Sequence, residues 1–419
     1  QIYQQRMVLA ANTFQPSTIW LSRTGDFYSF SPTELLEQDS PSAIVDGMAT
    51  EIITDSNGLT FTLDSDTLDA IKWLGESKKL AMGTSAGVYM LYGSETNLVV
   101  TPFRFTINRE TSFSATDTAP IVISNALIYP QIGGKNLQML SLDKGVGGQW
   151  DASKISLKGY DIIKSSEITK MIWQERPNGI IWCLMADGRL LSLSFDLRLE
   201  FMAWSEHVIG GTDTKVLDIE MIPRSSHDQL WLKVSRTIDS GTEYYMETLG
   251  RFPSEGALDR NDYIFSDSAI TKTIAGTFTA STSSGKILFT STKHGLIDTQ
   301  KVRFTSSGTP VDLPANLEIN TDYYVRDKAD DTFKVATTSG GTAIAFSDAG
   351  TGTHSWSTDT VFGLDHLEAD EVQIYNDGMQ HINKIVASNG SVTLNHFEGS
   401  RIVSGLPYLA ELDTLEPPA

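Results

Sequence analysis

Apolar residues along the chain occur in short alternating runs and not with the 3.6-residue period of a helix. Runs rich in Val, Ile, Thr, Tyr and Phe are separated by Gly, Asn, Asp or Ser. This pattern is typical of antiparallel β-strands joined by tight turns. In IIWCLMADGRLLSLSFD, the runs 180–184 and 190–195 flank Asp187-Gly188, a dipeptide that favours a hairpin turn. The chain is therefore predicted to be all-β.

Further hairpins are predicted at residues 80–91 (LAMGTSAGVYML), 120–131 (PIVISNALIYPQ) and 230–249. They recur at intervals of roughly 50 residues, and four-stranded units with such a period are the signature of a β-propeller. A two-sheet sandwich would give similar patterning and stays open as an alternative. Two segments, 32–40 (PTELLEQDS) and 64–74 (DSDTLDAIKWL), are candidates for short helical turns.

The amino-acid composition changes near residue 271, where Thr, Ser and Gly begin to dominate. Turn residues there separate six predicted short strands, at 286–291, 301–305, 322–325, 332–336, 343–347 and 353–356. Residues 271–357 are therefore predicted to form a small sandwich-like or barrel-like β domain. It is inserted between a propeller-like main domain, residues 1–270, and a return segment, residues 358–419, that completes the main domain. The start, QIYQQ, and the end, LDTLEPPA, suggest a chain truncated at both ends.

Acidic residues outnumber basic ones, 52 to 32, which gives a formal net charge of −20. Proteins that grip phosphates need clustered Lys and Arg, so this balance argues against tight nucleic-acid binding. It is compatible with a conduit that repels DNA, although solubility alone is the plainer explanation. No apolar run approaches the ~18–20 residues that span a bilayer, so no transmembrane helix is expected.

One string resembles a catalytic motif. Residues 83–87, Gly-Thr-Ser-Ala-Gly, match the G-x-S-x-G nucleophile elbow, with Ser85 at the position of the nucleophile. In that motif the serine lies on a sharp turn between a strand and a helix. Here the following run, Val-Tyr-Met-Leu-Tyr, is β-branched and aromatic, so a second strand is expected in place of a helix. His207 or His227 could serve as a base on paper. We predict a hairpin and no catalytic residues.

The sequence also gives little indication of a metal site or a reactive cysteine. Cys183 is the single cysteine and is expected to be buried in a strand. Asp64, Asp66 and Asp69 lack the Gly and terminal Glu of an EF-hand loop and are expected to form a solvated acidic turn. The histidines are scattered, and His366 and His381 are expected at the surface. No metal, cofactor or phosphate-binding glycine loop is predicted.

Two short segments combine aromatic and basic residues. Arg104-Phe105 and the run Tyr323-Tyr324-Val325-Arg326 could stack on a base or a sugar. Alternating aromatic residues in strands more often form one half of a core, and that is the expectation for both. The 52 acidic residues are too numerous to single out a pair of glycosidase carboxylates.

Several stretches become informative as an ordered set. In chain order they are TIWLSRTGDFYSF (18–30), LAMGTSAGVYML (80–91), MIWQERPNGIIWCLMADGRLLSLSFD (171–196), AWSEHVIGG (203–211), GLDHLEADEVQIYNDGM (363–379) and GLPY (405–408). Together they resemble the tail tubular protein B, or nozzle protein, family of short-tailed bacteriophages. Within the insertion, HGLIDTQKVRFTSSG (294–308), TDYYVRDKADDTFKV (321–335) and DAGTGTH (348–354) resemble a small β domain that phage tail proteins carry as an insertion.

The resemblance implies a structural component of the virion tail that is assembled in the host cytoplasm. It implies a homo-oligomeric ring, a hexamer, below a tail adaptor or gatekeeper protein. Such a ring forms a tube for DNA ejection and a dock for fibres or spikes, and DNA passes without specific binding. The family has no catalytic motif to transfer, so no enzymatic activity is expected. Its chains are usually longer and the insertion is not universal. The alternative is a host-surface tail protein that binds or degrades polysaccharide.

Overall fold

The structure, a computed structural model, describes residues 1–35, 44–45, 48–49, 51–64, 69–94, 96–142, 150–196, 201–251, 264–283, 286–314, 316–345 and 348–408. The chain divides into two compact units. The first contains residues 1–207 and 216–232, and the second contains residues 208–215 and 233–419.

Four antiparallel sheets of four strands each build the first unit. The strands of its N-terminal part are β1 (Ile2–Tyr3), β2 (Arg6–Ala10), β3 (Thr18–Leu21), β4 (Glu34–Leu35), β5 (Ile44–Val45), β6 (Met48–Ala49), β7 (Glu51–Ile52) and β8 (Leu59–Thr62). Blade 1 has the order β1-β2-β3-β8, while β4 pairs with β7 and β5 with β6.

Blades 2, 3 and 4 are meanders of consecutive strands. Blade 2 consists of β9 (Ile71–Glu76), β10 (Leu80–Thr84), β11 (Val88–Tyr92) and β12 (Thr106–Thr111). Blade 3 consists of β13 (Ile121–Ile123), β14 (Ala126–Pro130), β15 (Leu137–Leu142) and β16 (Trp150–Lys154). A 3₁₀ turn (Leu157–Gly159) and the single-turn helix α1 (Tyr160–Ile163) follow. Blade 4 consists of β17 (Ile168–Gln174), β18 (Ile180–Met185), β19 (Leu190–Asp196) and β20 (Phe201–His207).

The apolar cores of this unit lie between successive blades. One core joins blades 1 and 2 around Ile19 and Leu91, a second joins blades 2 and 3 around Met90 and Leu140, and a third joins blades 3 and 4. Successive four-stranded meanders that pack face to face are the architecture of a propeller. The prediction of an all-β, partial-propeller main domain is confirmed, and the sandwich alternative does not describe these sheets.

The next strands are β21 (Thr212–Pro223), β22 (Asp228–Ile238) and β23 (Gly241–Thr248), which form a three-stranded sheet in that order. β24 (Asp267–Thr273) then leads into a closed six-stranded barrel. The barrel strands are β25 (Ala275–Ser283), β26 (Lys286–Thr290), β27 (Lys301–Asp312), β28 (Tyr323–Arg326), β29 (Thr332–Ala336) and β30 (Thr351–Ser357). They close in the order β25-β26-β29-β28-β27-β30, as expected for the inserted barrel-like domain.

The remaining strands are β31 (Thr360–Phe362), β32 (Glu371–Asn376), β33 (Met379–Gln380), β34 (Lys384–Ile385), β35 (Ser391–Thr393) and β36 (Arg401–Leu406), with a 3₁₀ turn at Asp365–Leu367. A five-stranded sheet has the order β24-β36-β32-β33, and β34 also pairs with β32. β31 pairs with β35. This sheet therefore combines one strand before the barrel with strands that follow it.

Three local expectations are wrong where they fall on described residues. Within 32–40, Glu34–Leu35 is a strand that pairs with Glu51–Ile52, and residues 36–40 lie outside the described ranges. Within 64–74, the run from Ile71 is strand β9, because burial alternates with a period of two along it; residues 65–68 are not described. Within the predicted strand 343–347, residues 343–345 are not a strand, although Ile344 packs on the barrel core, and residues 346–347 lie outside the described ranges.

Candidate functional site

The G-x-S-x-G string forms the turn of a β-hairpin. β10 and β11 pair antiparallel, with Leu80 opposite Leu91 and Gly83 opposite Val88. The Ser85 hydroxyl accepts a hydrogen bond from the Ala70 amide at 3.2 Å, and the Ser85 amide donates to the Ala70 carbonyl at 3.1 Å. These bonds tie the turn to the segment that precedes β9. The hairpin prediction is confirmed, and Ser85 is part of blade packing.

The two histidines that could have served Ser85 have other partners. His207, on β20, lies with its Nε2 2.8 Å from the Ser192 hydroxyl, and its ring packs on Trp182 at 4.8 Å between centroids. Burial lowers the pKa of His207 to about 4, so its ring is neutral at pH 7. His227 Nδ1 lies 3.1 Å from the hydroxyl of its neighbour Ser226. The structure therefore assigns both histidines to local packing and hydrogen bonding.

The acidic segment 64–69 is not a uniformly solvated turn. Asp64 is exposed, whereas Asp69 is buried and accepts a 2.7 Å hydrogen bond from the Tyr89 hydroxyl. Asp66 lies outside the described residues. The expectation is wrong for Asp69 because the strand after it draws the carboxylate into the core between blades 1 and 2. Within the described ranges, no cluster of three or more His, Cys, Asp or Glu residues is placed to hold a metal ion.

The remaining candidate residues, Cys183, His366 and His381, differ in how well their burial matches the prediction. Cys183 is fully buried in β18, as expected, and burial raises its pKa to about 12. His366 and His381 are partly buried, contrary to expectation; His366 Nε2 lies 2.9 Å from the Ser268 carbonyl. The position of both was missed because sequence does not show which turns fold back on a sheet. His381 pairs with His396, with the two Nε2 atoms 2.8 Å apart.

The two aromatic–basic segments behave differently. Tyr323 is buried in the barrel, where its hydroxyl accepts the Glu318 amide hydrogen at 2.9 Å, so the expectation of a core role is confirmed there. Arg104 and Phe105 are both exposed, and the Phe105 ring stacks on Phe61 at 5.2 Å. The expectation of a core role is wrong for Phe105, which instead covers the outer edge of blade 1.

A buried polar network in the second unit was not foreseen from sequence. Arg236 is fully buried, donates to the Gly210 carbonyl at 2.7 Å and forms a two-pronged ion pair with Glu247. Asp267 accepts the Gly210 amide hydrogen at 2.7 Å, and burial raises the pKa of its carboxyl group. Arg236 and Glu247 lie on the neighbouring strands β22 and β23, whereas the bonds to Gly210 reach it from residues 26 and 57 positions away, so no local pattern could have revealed those bonds. The network fixes the loop at Gly210 against the unit's sheets.

A cleft of about 270 Å³ opens where the barrel meets β31. The polar side chains that line it include Lys272, Asp365 and Asn389, and Phe362 contributes an apolar wall. Among the described residues, Lys272 Nζ has no ion-pair partner, and it lies beside Gly363, where a Cβ would come within 3.1 Å of it. One ammonium, one carboxylate and one amide suit a small polar molecule. Asp365 is the one carboxylate among the described lining residues.

Large apolar side chains are exposed on the segment that follows β32. Met379, Ile382 and Ile385 are 64–70% exposed, and we name them the apolar arm. Their segment pairs with β32 twice, through β33 and through β34. The His381–His396 contact fixes the middle of the arm to the segment before β36. The arm therefore presents aliphatic surface on a short, hydrogen-bonded support.

Comparison with protein-family models finds no match, and no curated protein matches the chain. Among solved structures, the chain is similar to one described as Xyloglucan PUL GH43B of Bacteroides ovatus. The identity is 10%, and the alignment covers 81% of this chain and 93% of that one with a TM-score of 0.20. A TM-score of this size supports no argument about function. Among the described residues there is no helix with the length and apolar character to cross a membrane.

Proposed function

We propose that the chain is a structural subunit of a bacteriophage tail that assembles with copies of itself into a ring around the path of the ejected DNA. The observation that carries the proposal is the apolar arm. Three aliphatic side chains exposed on a hydrogen-bonded support are costly in water and are typical of a surface that another protein covers. Met379 also ends the stretch 363–379, one of those that resemble the nozzle family.

The positions of the other resembling stretches support the same proposal. Residues 18–30 begin with β3 of blade 1, residues 80–91 form the central hairpin of blade 2, and residues 171–196 supply three strands of blade 4. The similarity thus follows structural units of the fold in order. A net charge of −20 suits a ring whose channel repels DNA phosphates, which would keep contacts with passing DNA weak.

Imaging of the purified chain tests the proposal. We expect negative-stain electron microscopy and native mass spectrometry to show closed six-fold rings. Ile382→Asp together with Ile385→Asp should weaken association of the chain with its neighbours in the tail without loss of folded structure, because both side chains are mostly exposed. A chain that stays monomeric at the highest attainable concentration, and that is absent from purified particles, would refute the proposal.

The cleft at the barrel favours a second candidate function, the binding of a host-surface polysaccharide. Lys272, Asp365 and Asn389 could hold hydroxyl or carboxylate groups of a sugar. Glycoside hydrolysis uses a pair of carboxyl groups, and the cleft presents Asp365 alone among its described lining residues, so binding is favoured over cleavage. A reducing-sugar assay on host capsule separates the candidates: release of sugar that Asp365→Asn abolishes would favour an enzyme.

A further inference from the structure

The dipeptide Asn-Gly occurs in the chain at residues 57–58, 178–179 and 389–390. In this dipeptide the glycine amide nitrogen can attack the side-chain amide carbon of the asparagine, because glycine has no Cβ to obstruct the approach. The new bond closes a succinimide ring and ammonia leaves. Water then opens the ring to aspartate or isoaspartate. The sequence makes the three pairs equivalent for this reaction, and only their surroundings distinguish them.

The first pair is held on both sides. The Gly58 amide donates to the Ser31 carbonyl at 2.8 Å, and a Cβ at Gly58 would lie 2.7 Å from the backbone of Phe30. Asn57 is fully buried, and its side-chain oxygen accepts the Thr54 amide hydrogen at 2.7 Å. The nitrogen must lose its hydrogen bond before it can attack, and burial shields the side-chain amide from water. The folded protein therefore protects Asn57.

The third pair is held by its own turn. Gly390 is buried, and its amide donates to the Ala387 carbonyl at 2.9 Å. Asn389 is exposed, but its side-chain oxygen accepts a hydrogen bond from the Ser391 hydroxyl at 2.7 Å. The nitrogen that would attack is thus engaged with a carbonyl, and the group that it would attack is tied to the strand that follows. Asn389 is protected as well.

The second pair is free of such contacts. Asn178 is exposed in the turn between β17 and β18. The Gly179 amide lies outside both strands and donates to no acceptor in the described part of the chain. Its nitrogen therefore has no hydrogen bond to another described residue to break before it attacks, and solvent water reaches the product ring.

The turn that contains the second pair is fixed at its two ends. The Asp228 carboxylate accepts the amide hydrogens of Glu175 and Arg176 at 3.1 and 2.9 Å, and the Arg176 guanidinium donates to it at 2.8 Å. Strand β18 begins at Ile180, which pairs with Gln174. Residues 177–179 thus form a short free segment between two anchored points, so the attack requires no opening of blade 4.

We propose that Asn178 is a site of spontaneous deamidation in the folded protein, with water as the co-reactant, and that the other two pairs react only after local opening. The Gly179 nitrogen bonds to the side-chain amide carbon of Asn178, and the bond from that carbon to the side-chain nitrogen breaks. The proton of the Gly179 amide leaves with that nitrogen as ammonia. Water then adds to one of the two ring carbonyl carbons. This inference is independent of the proposed function.

The modification has two physical consequences for blade 4. Each event replaces a neutral amide with a carboxylate two residues from Arg176, and so adds one negative charge. Aspartate keeps the length of the backbone, whereas isoaspartate lengthens it by one carbon between the Asp228 anchor and β18. Both products are therefore separable from the original chain by anion exchange.

Peptide mapping by mass spectrometry tests the site on the full chain, incubated folded at mildly alkaline pH in heavy-oxygen water. We expect the peptide with Asn178 to gain the mass of an amide-to-acid change with one heavy oxygen, and part of it to carry isoaspartate. The peptides with Asn57 and Asn389 should react at least about tenfold more slowly, because they depend on local opening. In urea the three peptides should react at similar rates.

Two matched variants assign the charge change. Asn178→Gln should abolish the acidic species that accumulate on anion exchange, since glutamine would close a larger and slower ring, whereas Asn389→Gln should leave them unchanged. Circular dichroism confirms that both variants are folded. The inference is overturned if Asn178 stays intact in the folded chain but reacts in urea, if all three sites react equally fast in the folded chain, or if Asn178→Gln leaves the acidic species in place.

Discussion

Replacing Gly83 with alanine would place a methyl carbon inside the volume that Trp73 occupies. A Cβ at Gly83 would lie 2.0 Å from Trp73 Cε2 and 2.3 Å from its Cζ2. Carbon atoms that are not bonded approach to about 3.5–4.0 Å, so the indole would have to retreat by roughly 1.5 Å. Trp73 is buried and packs on Tyr129 of blade 3, at 5.4 Å between ring centroids, which leaves the ring little room.

Overpacking of a core costs about 1–3 kcal/mol, and partial expulsion of a large aromatic ring places this case at the upper end of the range. We therefore expect Gly83→Ala to lower the free energy of unfolding by about 3 kcal/mol. For a unit of this size, that corresponds to a fall in Tm of about 6–12 °C. Thermal unfolding followed by near-ultraviolet circular dichroism measures it, since the signal depends on the packing of buried indole rings.

Ser85→Ala is the matched control in the same turn. It removes the hydroxyl that accepts the Ala70 amide hydrogen, and we expect a loss of about 0.5–1.5 kcal/mol. Trp73→Phe in the Gly83→Ala background should recover part of the lost stability, because a smaller ring leaves space for the methyl group. The reasoning is refuted if Gly83→Ala costs less than Ser85→Ala, or if the changes at Gly83 and Trp73 are additive.

Three further predictions concern buried groups. Arg236→Met should destabilise the second unit by about 3–5 kcal/mol in urea unfolding, because Glu247 loses its buried partner. Arg236→Met combined with Glu247→Met should cost less than Arg236→Met alone. An equal or larger cost for the double variant would contradict this reasoning. The pKa of His207 is 6.5 in the unfolded chain and about 4 in the folded protein. Between these values the unfolded state binds more protons than the folded state, so Tm should fall as pH is lowered from 6.5 to 4. That slope should be shallower in His207→Gln, and an unchanged slope would exclude His207 as its source. Cys183 should resist iodoacetamide in the folded protein and react in urea, as followed by mass spectrometry; rapid labelling of the native chain would disprove its burial.

Local pattern was sufficient where each strand pairs with its neighbour in sequence. The hairpins of blades 2 and 4 were predictable because alternating runs and an Asp-Gly turn encode them within about 20 residues. Strand β25 was missed: its Ser- and Thr-rich run lacks a clear apolar face, and its pairing with β30, which the chain reaches about 75 residues later, completes it. The stretch before Trp73 was predicted to be a helical turn. It contains the start of strand β9, because pairing with β10 and burial in the core override local propensity there.

The surroundings of individual side chains were harder to predict than the strands, because their partners can be far away in the sequence. The sequence by itself determined an all-β chain with propeller-like units, an inserted β domain, an acidic surface and a turn at Ser85, since period, turn chemistry and charge are local properties. Only the tertiary structure decided that Asp69 is buried against Tyr89, that Arg236 meets Gly210, and that Tyr28 and Phe14 are exposed. Burial is a property of what packs against a residue, and the packing partners are set by how strands and loops come together in space.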